Sequence, residues 1–535
     1  MGETHRMDIG ERKAGKKLLG LPDWLDKAAI YGGVFCFAVV LAVLLTSDKC
    51  INRLADNRVL TLLALAVMLP GGILYGVSVH RAGRRFRNPI LWLVLGYALL
   101  YAVQLFWVNR VYFYTGWDVG VMKYRVDGIV EGGGMVALGA EEGYSIYPNN
   151  LLLFYIQCIL VKIGKLVSMQ DPYLLCIYVS CLSVNVSCFL GNLILRKFTE
   201  SGCVRGYYTV LSTIAVLFSP WIIIPYSDTY GMFFVMLGMW GLLCLDRKYL
   251  KWVVVAFAAV IGYWIKPTCV FPLFAAYMTY GLRYLVAVRE RWRELLALAV
   301  STVCFWAAAQ LIPVWIQHTY SFRLDPQLQI PYTHYIMMGL NEETMGGYYA
   351  EDFNYSMSQP DFASRKQAAI EEAAYRVRTY AREGRLGEFF KEKALVNFND
   401  GTFAWCDEGG FFSGYIKHDN ALADLFLETM VYPGYLGNEG KYFSLYRTVM
   451  QVVWLSMLIG VLFAGIEIKK FGGGKSCVMI VVCGLMAFVM LFEARARYLY
   501  LYAPVFLILS LCGWESLFRW AGGRLYFVFM RKRGE

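Results

Sequence analysis

Five carboxylates crowd one polar stretch of this chain: Asp118, Asp127, Glu131, Glu141 and Glu142 fall between Trp117 and Asn150, and the stretch closes on Tyr147-Pro148-Asn149-Asn150. Apolar runs flank it on both sides. A carboxylate held beside such surface can accept a proton from a hydroxyl. Three other charged places sit at the ends of apolar runs: Asp228 in Pro225-Tyr226-Ser227-Asp228, Lys266 before Pro267, and Glu493, Arg495 and Arg497 ahead of the last run. Ionisable groups at membrane depth are costly and tend to be functional or paired. Taken singly, each could instead be an interfacial anchor or half of an ion pair. Taken together, a proton-accepting carboxylate facing Lys and Arg is what transfer from a lipid phosphate requires, because the cations can hold the departing phosphate.

The elements that must position these groups follow from composition. Hydrophobic residues make up 58% of 535 positions, aromatic ones 16%, and charged ones only 17%, with a mean hydropathy of +0.46. These values describe an all-α polytopic membrane protein rather than a soluble one. About thirteen apolar segments of roughly 20 residues begin near Ala28, Val59, Pro89, Asn150, Tyr173, Gly206, Thr229, Trp252, Cys269, Leu295, Val449, Cys477 and Tyr498. The first follows Arg12, Lys13, Lys16 and Lys17 with no small-residue cleavage site after it, so it reads as a retained anchor.

Basic clusters mark the cytoplasmic side: the N-terminal segment, then Arg81, Arg84, Arg85 and Arg87, then Arg247, Lys248 and Lys251, then Arg289, Arg291 and Arg293, then Lys469, Lys470 and Lys475, and last Arg531, Lys532 and Arg533. The N-terminus is then cytoplasmic, and the loop 110–149 and a second loop, 316–446, face outside. The net charge of +11 is accounted for by these inner loops and anionic lipid, so no nucleic-acid partner is expected. One conflict remains. Asn150 lies outside while Arg196, Lys197 and Arg205 look inside, yet two apolar segments separate them, so either 150–167 or 173–195 does not cross fully or the basic signal misleads at Arg196.

The organisation expected is a cytoplasmic segment 1–27, a membrane core 28–315 with the loop 110–149, an extracytoplasmic subdomain 316–446, and C-terminal helices with a basic tail over 447–535. Within the subdomain, 361–383 has a helical pattern ended by Gly384, and 386–398 suits an amphipathic helix on the membrane face or on its own domain. Most of the fourteen cysteines lie in apolar segments, where a thiol acts as a small hydrophobe. Cys50 and Cys406 are the outward-facing exceptions. His318, His334 and His418 have no metal-ligand spacing and read as surface or interface residues.

In order and placement, Trp117-Asp118, Tyr147-Pro148, Asp228 and Lys266-Pro267 resemble the GT-C membrane glycosyltransferases, in particular the family 39 type with the protein O-mannosyltransferases and the lipid A aminoarabinose transferase. The likeness covers roughly residues 90 to 315. The chain departs from the family pattern in reading Asp118-Val119 for an Asp-Glu pair and Tyr147-Pro148-Asn149-Asn150 for a Tyr-Pro-Pro element. The resemblance implies a GT-C-like fold, and the absence of a targeting tail suits a bacterial plasma membrane. The resemblance also implies a polyprenyl-phosphate-linked sugar as donor and inverting transfer to an extracytoplasmic hydroxyl of a glycan, lipid or protein acceptor. Asp118 would take the hydroxyl proton, and Lys266, Arg495 and Arg497 would hold the phosphate. Tyr147, Asn149, Asn150 and Asp228 would bind donor sugar or phosphate, although Pro148 and Asn149 could equally cap the next helix.

No cofactor is expected. Several carboxylates share one loop and some GT-C relatives use a divalent metal, but Asp118, Asp127 and Glu131 have no spacing that fixes an oxygen-ligand geometry. The rival readings are a lipid-linked glycan flippase or transporter, a cell-envelope polysaccharide polymerase or ligase, and a sensor or scaffold. Transporters tend to carry paired repeats of broken helices, and none is visible here. A scaffold leaves Asp118, Asp228, Arg495 and Arg497 unexplained.

Overall fold

The computed structural model describes residues 22–47, 56–80, 90–408, 418–431, 440–466 and 472–532. The basic groups at Arg12, Lys13, Lys16 and Lys17, at Arg81, Arg84, Arg85 and Arg87, and at Lys469, Lys470 and Arg533 lie outside these residues, as does Cys50. The described chain is built of helices and contains no strand. In order, these are α1 (Pro22–Thr46), α2 (Asn57–His80), α3 (Ile90–Val111), α4 (Asp118–Val130), α5 (Ala140–Ile146), α6 (Leu151–Leu166), α7 (Leu174–Phe198) and α8 (Gly202–Ser212). Next come α9 (Ser227–Cys244), α10 (Lys248–Tyr263), α11 (Phe271–Ala276), α12 (Val288–Ala309), α13 (Leu311–Thr319), α14 (Tyr332–Met338), α15 (Ala350–Met357), α16 (Phe362–Arg382) and α17 (Leu386–Phe398). The last are α18 (Ala421–Met430), α19 (Phe443–Leu462), α20 (Gly472–Leu491), α21 (Arg497–Tyr500) and α22 (Ala503–Lys532).

Eight described helical stretches are long and apolar enough to cross a membrane, those that begin near Ala28, Pro89, Asn150, Tyr173, Cys269, Leu295, Val449 and Cys477. Near Val59 the chain forms the apolar helix α2, and the expected segments near Gly206, Thr229, Trp252 and Tyr498 are helical too but fall short of that measure. The reason is visible near Gly206: α8 lasts 11 residues, and the chain then passes through a wider turn and a 3₁₀ turn at Pro220–Ile223. Of the two segments in the parity conflict, α6 has 16 residues and α7 has 25. At 1.5 Å per residue α6 alone reaches about 24 Å, and the 3₁₀ turn Pro148–Asn150 ahead of it brings the stretch to about 30 Å, so both segments are long enough to cross and the conflict with the basic signal at Arg196 stands.

Packing follows the pattern of a membrane bundle. On α3, Ile90, Leu91, Trp92, Leu95, Leu99 and Phe106 are exposed, while Tyr97, Gln104, Val108 and Val111 are buried. The apolar side therefore faces out, toward lipid. The buried polar side is satisfied between helices: Gln104 Nε2 donates to the Leu217 carbonyl at 2.6 Å, and Asn185 Nδ2 donates to Gln104 Oε1 at 3.2 Å. Close approach is set by small residues. A Cβ on Gly262 would lie 2.7 Å from Cys269 Cβ and 2.9 Å from Phe234 Cβ, so only glycine lets the end of α10 sit this near to α9.

Residues 316–446 do not stand apart from this bundle. Phe398, Phe403, Trp405 and Phe426 belong to the main apolar core, whereas Leu340, Tyr380 and Phe389 form a small cluster of their own. Indole donors tie the two regions: Trp221 Nε1 bonds the Phe403 carbonyl at 3.0 Å and Trp454 Nε1 the Phe398 carbonyl at 2.7 Å. The helix expected over 361–383 is α16, capped by Asp361, which accepts from Ser364 N at 2.8 Å, and it gives way at Gly384 with φ +70°. α17 packs on α16, α1 and α20 rather than lying free, and its Lys393 is fully buried. Two expectations fail here. Cys406 is buried, not outward-facing, and His334 is 2% exposed, its Nδ1 2.8 Å from Ser356 Oγ.

Candidate active site

The polar stretch 117–150 carries two helices, α4 and α5, joined by turns over 131–139, rather than one continuous loop. Val119, Met122, Val126 and Ile129 are the buried residues of α4, spaced three and four apart, which is the signature of an amphipathic helix. Asp118 is its first residue, exposed, at the end where the helix dipole favours a carboxylate. Asp127 pairs with Lys123 one turn earlier at 2.5 Å. Glu131 and Glu142 are exposed, as solvated charges would be. After α5, Pro148 opens a 3₁₀ turn, Pro148–Asn150, that runs straight into α6. Neither Asn149 nor Asn150 caps that helix with its side chain. Asn149 Nδ2 donates to Asn150 Oδ1 at 3.3 Å, and Asn150 Nδ2 to the Tyr226 hydroxyl at 3.4 Å.

Tyr226 is the hub. Its hydroxyl lies 3.5 Å from Asp118 Oδ2, and its ring meets Trp117 edge-on at 5.3 Å. Two residues further along, at the start of α9, the buried Asp228 contacts Lys266 Nζ through Oδ1 and faces Arg497 Nε through Oδ2 at 3.4 Å. The Arg497 guanidinium in turn stands 4.4 Å from the centre of the Trp117 ring, a cation–π contact that links the cluster to the residue before Asp118. Lys266 reaches this place because α10 ends at Tyr263 and the chain restarts in the 3₁₀ turn Pro267–Val270. Its ammonium also lies over the Tyr498 ring at 4.3 Å. Three side chains only 11%, 4% and 4% exposed, for Lys266, Asp228 and Arg497, thus set two cations against one carboxylate. Two buried cations gathered at one place can hold an anion of the ligand.

Arg495 joins through a second carboxylate. It lies 3.9 Å from Glu493 Oε1, and Tyr498 donates to Glu493 Oε2 at 2.8 Å. The Arg495 backbone N–H is held by Asn397 Oδ1 at 2.9 Å, which fixes this turn against α17. Tyr147 lies in the fields of both acids: burial, then the charges of Asp118, Tyr348 and Glu493, push its phenol up. Burial first, and then Tyr147, Glu493, Tyr226 and Asp118, do the same to Tyr335 of α14. The structure therefore gathers Asp118, Asn150, Asp228, Lys266 and Arg497 in one network, with Tyr147 and Arg495 bordering it. Asn149 touches it only through Asn150.

A family profile described as conserved hypothetical integral membrane protein matches residues 29–518. The chain belongs to that family. The match takes in every residue of the network, and membrane residence is a property of the family as well as of this fold. No curated protein and no solved structure matches the chain. Among the described residues no three His, Cys, Asp or Glu side chains are grouped to hold a metal ion.

Trp117, Tyr226 and Tyr335 are members of the site to which the sequence assigns no role, and Glu493 is singled out with Arg495 and Arg497 but likewise given none. Trp117 and Tyr226 sit beside acids that were selected, and an aromatic next to a membrane-depth carboxylate is a legible signal. Glu493 alternates with Arg495 and Arg497 across two alanines in a non-helical turn between α20 and α21. No sequence signal marks Tyr335, which arrives from a distant segment.

Proposed function

We propose that the protein is a glycosyltransferase that moves a sugar from a polyprenyl-phosphate donor to an acceptor hydroxyl with inversion, in the manner of the GT-C enzymes it resembles. The observation that carries this reading is the buried pairing of Lys266 and Arg497 on Asp228, linked through the Trp117 ring to the residue that bears the exposed carboxylate of Asp118. In the reaction the acceptor oxygen attacks the anomeric carbon, and its proton passes to Asp118. The bond from that carbon to the phosphate oxygen breaks, and polyprenyl phosphate leaves with the electron pair. Lys266 and Arg497 would stabilise the charge that grows on the leaving phosphate, with Arg495 at the rim. Asn150 and Tyr226 would keep Asp118 oriented. The tail would lie along apolar helix surface. In this reading the site faces outward from a bacterial plasma membrane, the N-terminus is cytoplasmic, and the 316–446 segment covers the acceptor side.

Asp118→Asn should abolish transfer while expression and membrane insertion stay normal. Transfer at more than about a tenth of the wild-type rate would remove Asp118 as the base, since a general base contributes roughly 10²–10⁴-fold. Mass spectrometry of lipids that copurify with the protein reads the donor directly. A polyprenyl-phosphate sugar supports the proposal, and a full oligosaccharide diphosphate in its place overturns it in favour of a flippase, polymerase or ligase.

A further inference from the structure

Beside Asp118 stands a wall of rings to which the transfer step gives no role. Tyr147 and Phe353 lie nearly parallel, their centroids 6.4 Å and their planes 18° apart. His334 meets Tyr335 at 5.3 Å and Phe353 at 6.5 Å, both edge-on. Tyr147 and Tyr335 each lie in the fields of both Asp118 and Glu493, and Tyr348, 53% exposed, adjoins Tyr147. Tyr147 leads into the turn Pro148–Asn150, whose Asn150 shares the Tyr226 hydroxyl with Asp118, so the rings stand at the approach to the proton-accepting atom.

The scaffold behind them is fixed. Arg376 grips Asp352 through Nη1 at 2.9 Å and Nη2 at 2.6 Å, and Asn341 Nδ2 donates to the same carboxylate at 3.0 Å. The turn before Tyr348 uses Gly346 at φ +83°, whose carbonyl accepts from Ala494 N at 2.6 Å. The rings are thus tied to the segment that carries Glu493, Arg495 and Arg497. Side chains locked by packing and hydrogen bonds in this way form a preorganised binding surface.

A pyranose ring offers a flat face of C–H groups and a rim of hydroxyls. Aromatic faces cover the first, while carboxylates and phenols bond the second. A lipid acceptor would call for an apolar approach, whereas these rings belong to a polar segment. We infer that the wall of Tyr147, Tyr335, Tyr348 and Phe353 binds a carbohydrate chain, and that this chain is the acceptor whose hydroxyl Asp118 deprotonates. The assignment rests on the transfer reading above.

The test uses the full-length protein in lipid nanodiscs on an array of bacterial cell-envelope oligosaccharides, with serine- and threonine-rich peptides as a second arm. Binding to at least one oligosaccharide series is expected. It should weaken about tenfold in Phe353→Ala and in Tyr348→Ala, and by about fivefold in Tyr335→Phe, which keeps the ring and loses one phenol hydrogen bond. Tyr348 is exposed, so its variant should fold even where Phe353→Ala does not. Binding to no oligosaccharide, preference for the peptides, or Tyr348→Ala binding like wild type would each overturn the inference. Copurifying lipids from the same preparations separate the two readings: a polyprenyl-phosphate sugar on a protein that binds no oligosaccharide leaves the transfer reading standing and sinks this one.

Discussion

Asp228→Asn keeps the shape of a buried side chain and deletes the charge on which two cations converge. In the intact protein Lys266 and Arg497 share that carboxylate, and the three side chains are 11%, 4% and 4% exposed in the order Lys266, Asp228, Arg497. Removing one partner of a buried pair costs about 3–5 kcal/mol, because a charge is left without compensation. Here two cations lose the same partner, so the loss should fall at the upper end of that range. Lys266→Met is the informative contrast. It removes one cation and leaves the Arg497–Asp228 pair intact, so it should cost far less than Asp228→Asn.

Unfolding of the purified, lipid-stripped protein, followed by heat and by denaturing detergent, would rank the variants. Adding polyprenyl phosphate then tests whether the two cations hold a phosphate. A ligand that binds only the folded state at a hundredfold excess over its dissociation constant stabilises by about 2.7 kcal/mol. A phosphate seated between Lys266 and Arg497 should stabilise Asp228→Asn more than wild type, since it supplies the missing anion, and should stabilise Lys266→Met less. If Asp228→Asn unfolds within about 1 kcal/mol of wild type, the cluster is solvated and the electrostatic argument is wrong. Equal stabilisation of all three proteins by polyprenyl phosphate would move the phosphate site elsewhere.

Lys393 should make stability depend on pH. Its amine is fully buried and donates to the carbonyls of Gly339 and of Phe492, the latter at 2.7 Å, and burial, opposed by the charge of Glu493, brings its pKa down to about 7. Two N–H groups serve both carbonyls, so the neutral amine fits. Below about pH 7 both folded and unfolded states carry the proton and the burial penalty is present in full. Between that pKa and the ordinary value of 10.5 the unfolded state binds the extra proton, so stability should rise by up to about 1.4 kcal/mol per pH unit. Melting curves from pH 6.5 to 9.5 should show this rise in wild type and lose that component in Lys393→Met; parallel curves for the two proteins would contradict it. Tyr226→Phe keeps the ring against Trp117 and deletes a hydroxyl 3.5 Å from Asp118 and 3.4 Å from Asn150. Loss of one hydrogen bond of about 1 kcal/mol predicts transfer about fivefold slower with an unchanged melting temperature, and an unchanged rate would exclude Tyr226 from orienting the base.

Sequence reveals those parts of this protein whose physics is local. Spans such as α1, α3, α7, α19 and α20 are readable because hydrocarbon demands about 20 apolar residues in a row, and the caps of α16 are readable because Asp361 and Gly384 do what their side chains dictate. Asp118, Asp228, Lys266 and Arg497 are readable for a related reason: a charge among apolar residues stands out, and its cost requires a partner. What sequence conceals is which partner. Asp228 and Arg497 are 269 positions apart, and only the close approach that Gly262 permits, together with the break before Pro267, brings Lys266 to the same carboxylate. The stretch 117–150 was read as a loop because its five acids mask a buried stripe of four apolar residues in α4. Tyr335 and Lys393 are concealed most thoroughly. Each looks like an ordinary polar residue of a soluble helix, and each gains its character from a segment that folds back onto the bundle. Lys393 lies on the covered side of α17 with Phe389, Leu395 and Phe398, while Glu388 and Lys391 stay exposed, so the partner surface of the helix is the bundle itself. Charge therefore locates this site in the sequence, whereas Tyr335, Tyr348 and Phe353, which join Tyr147 in the wall of rings, can be found only from the fold.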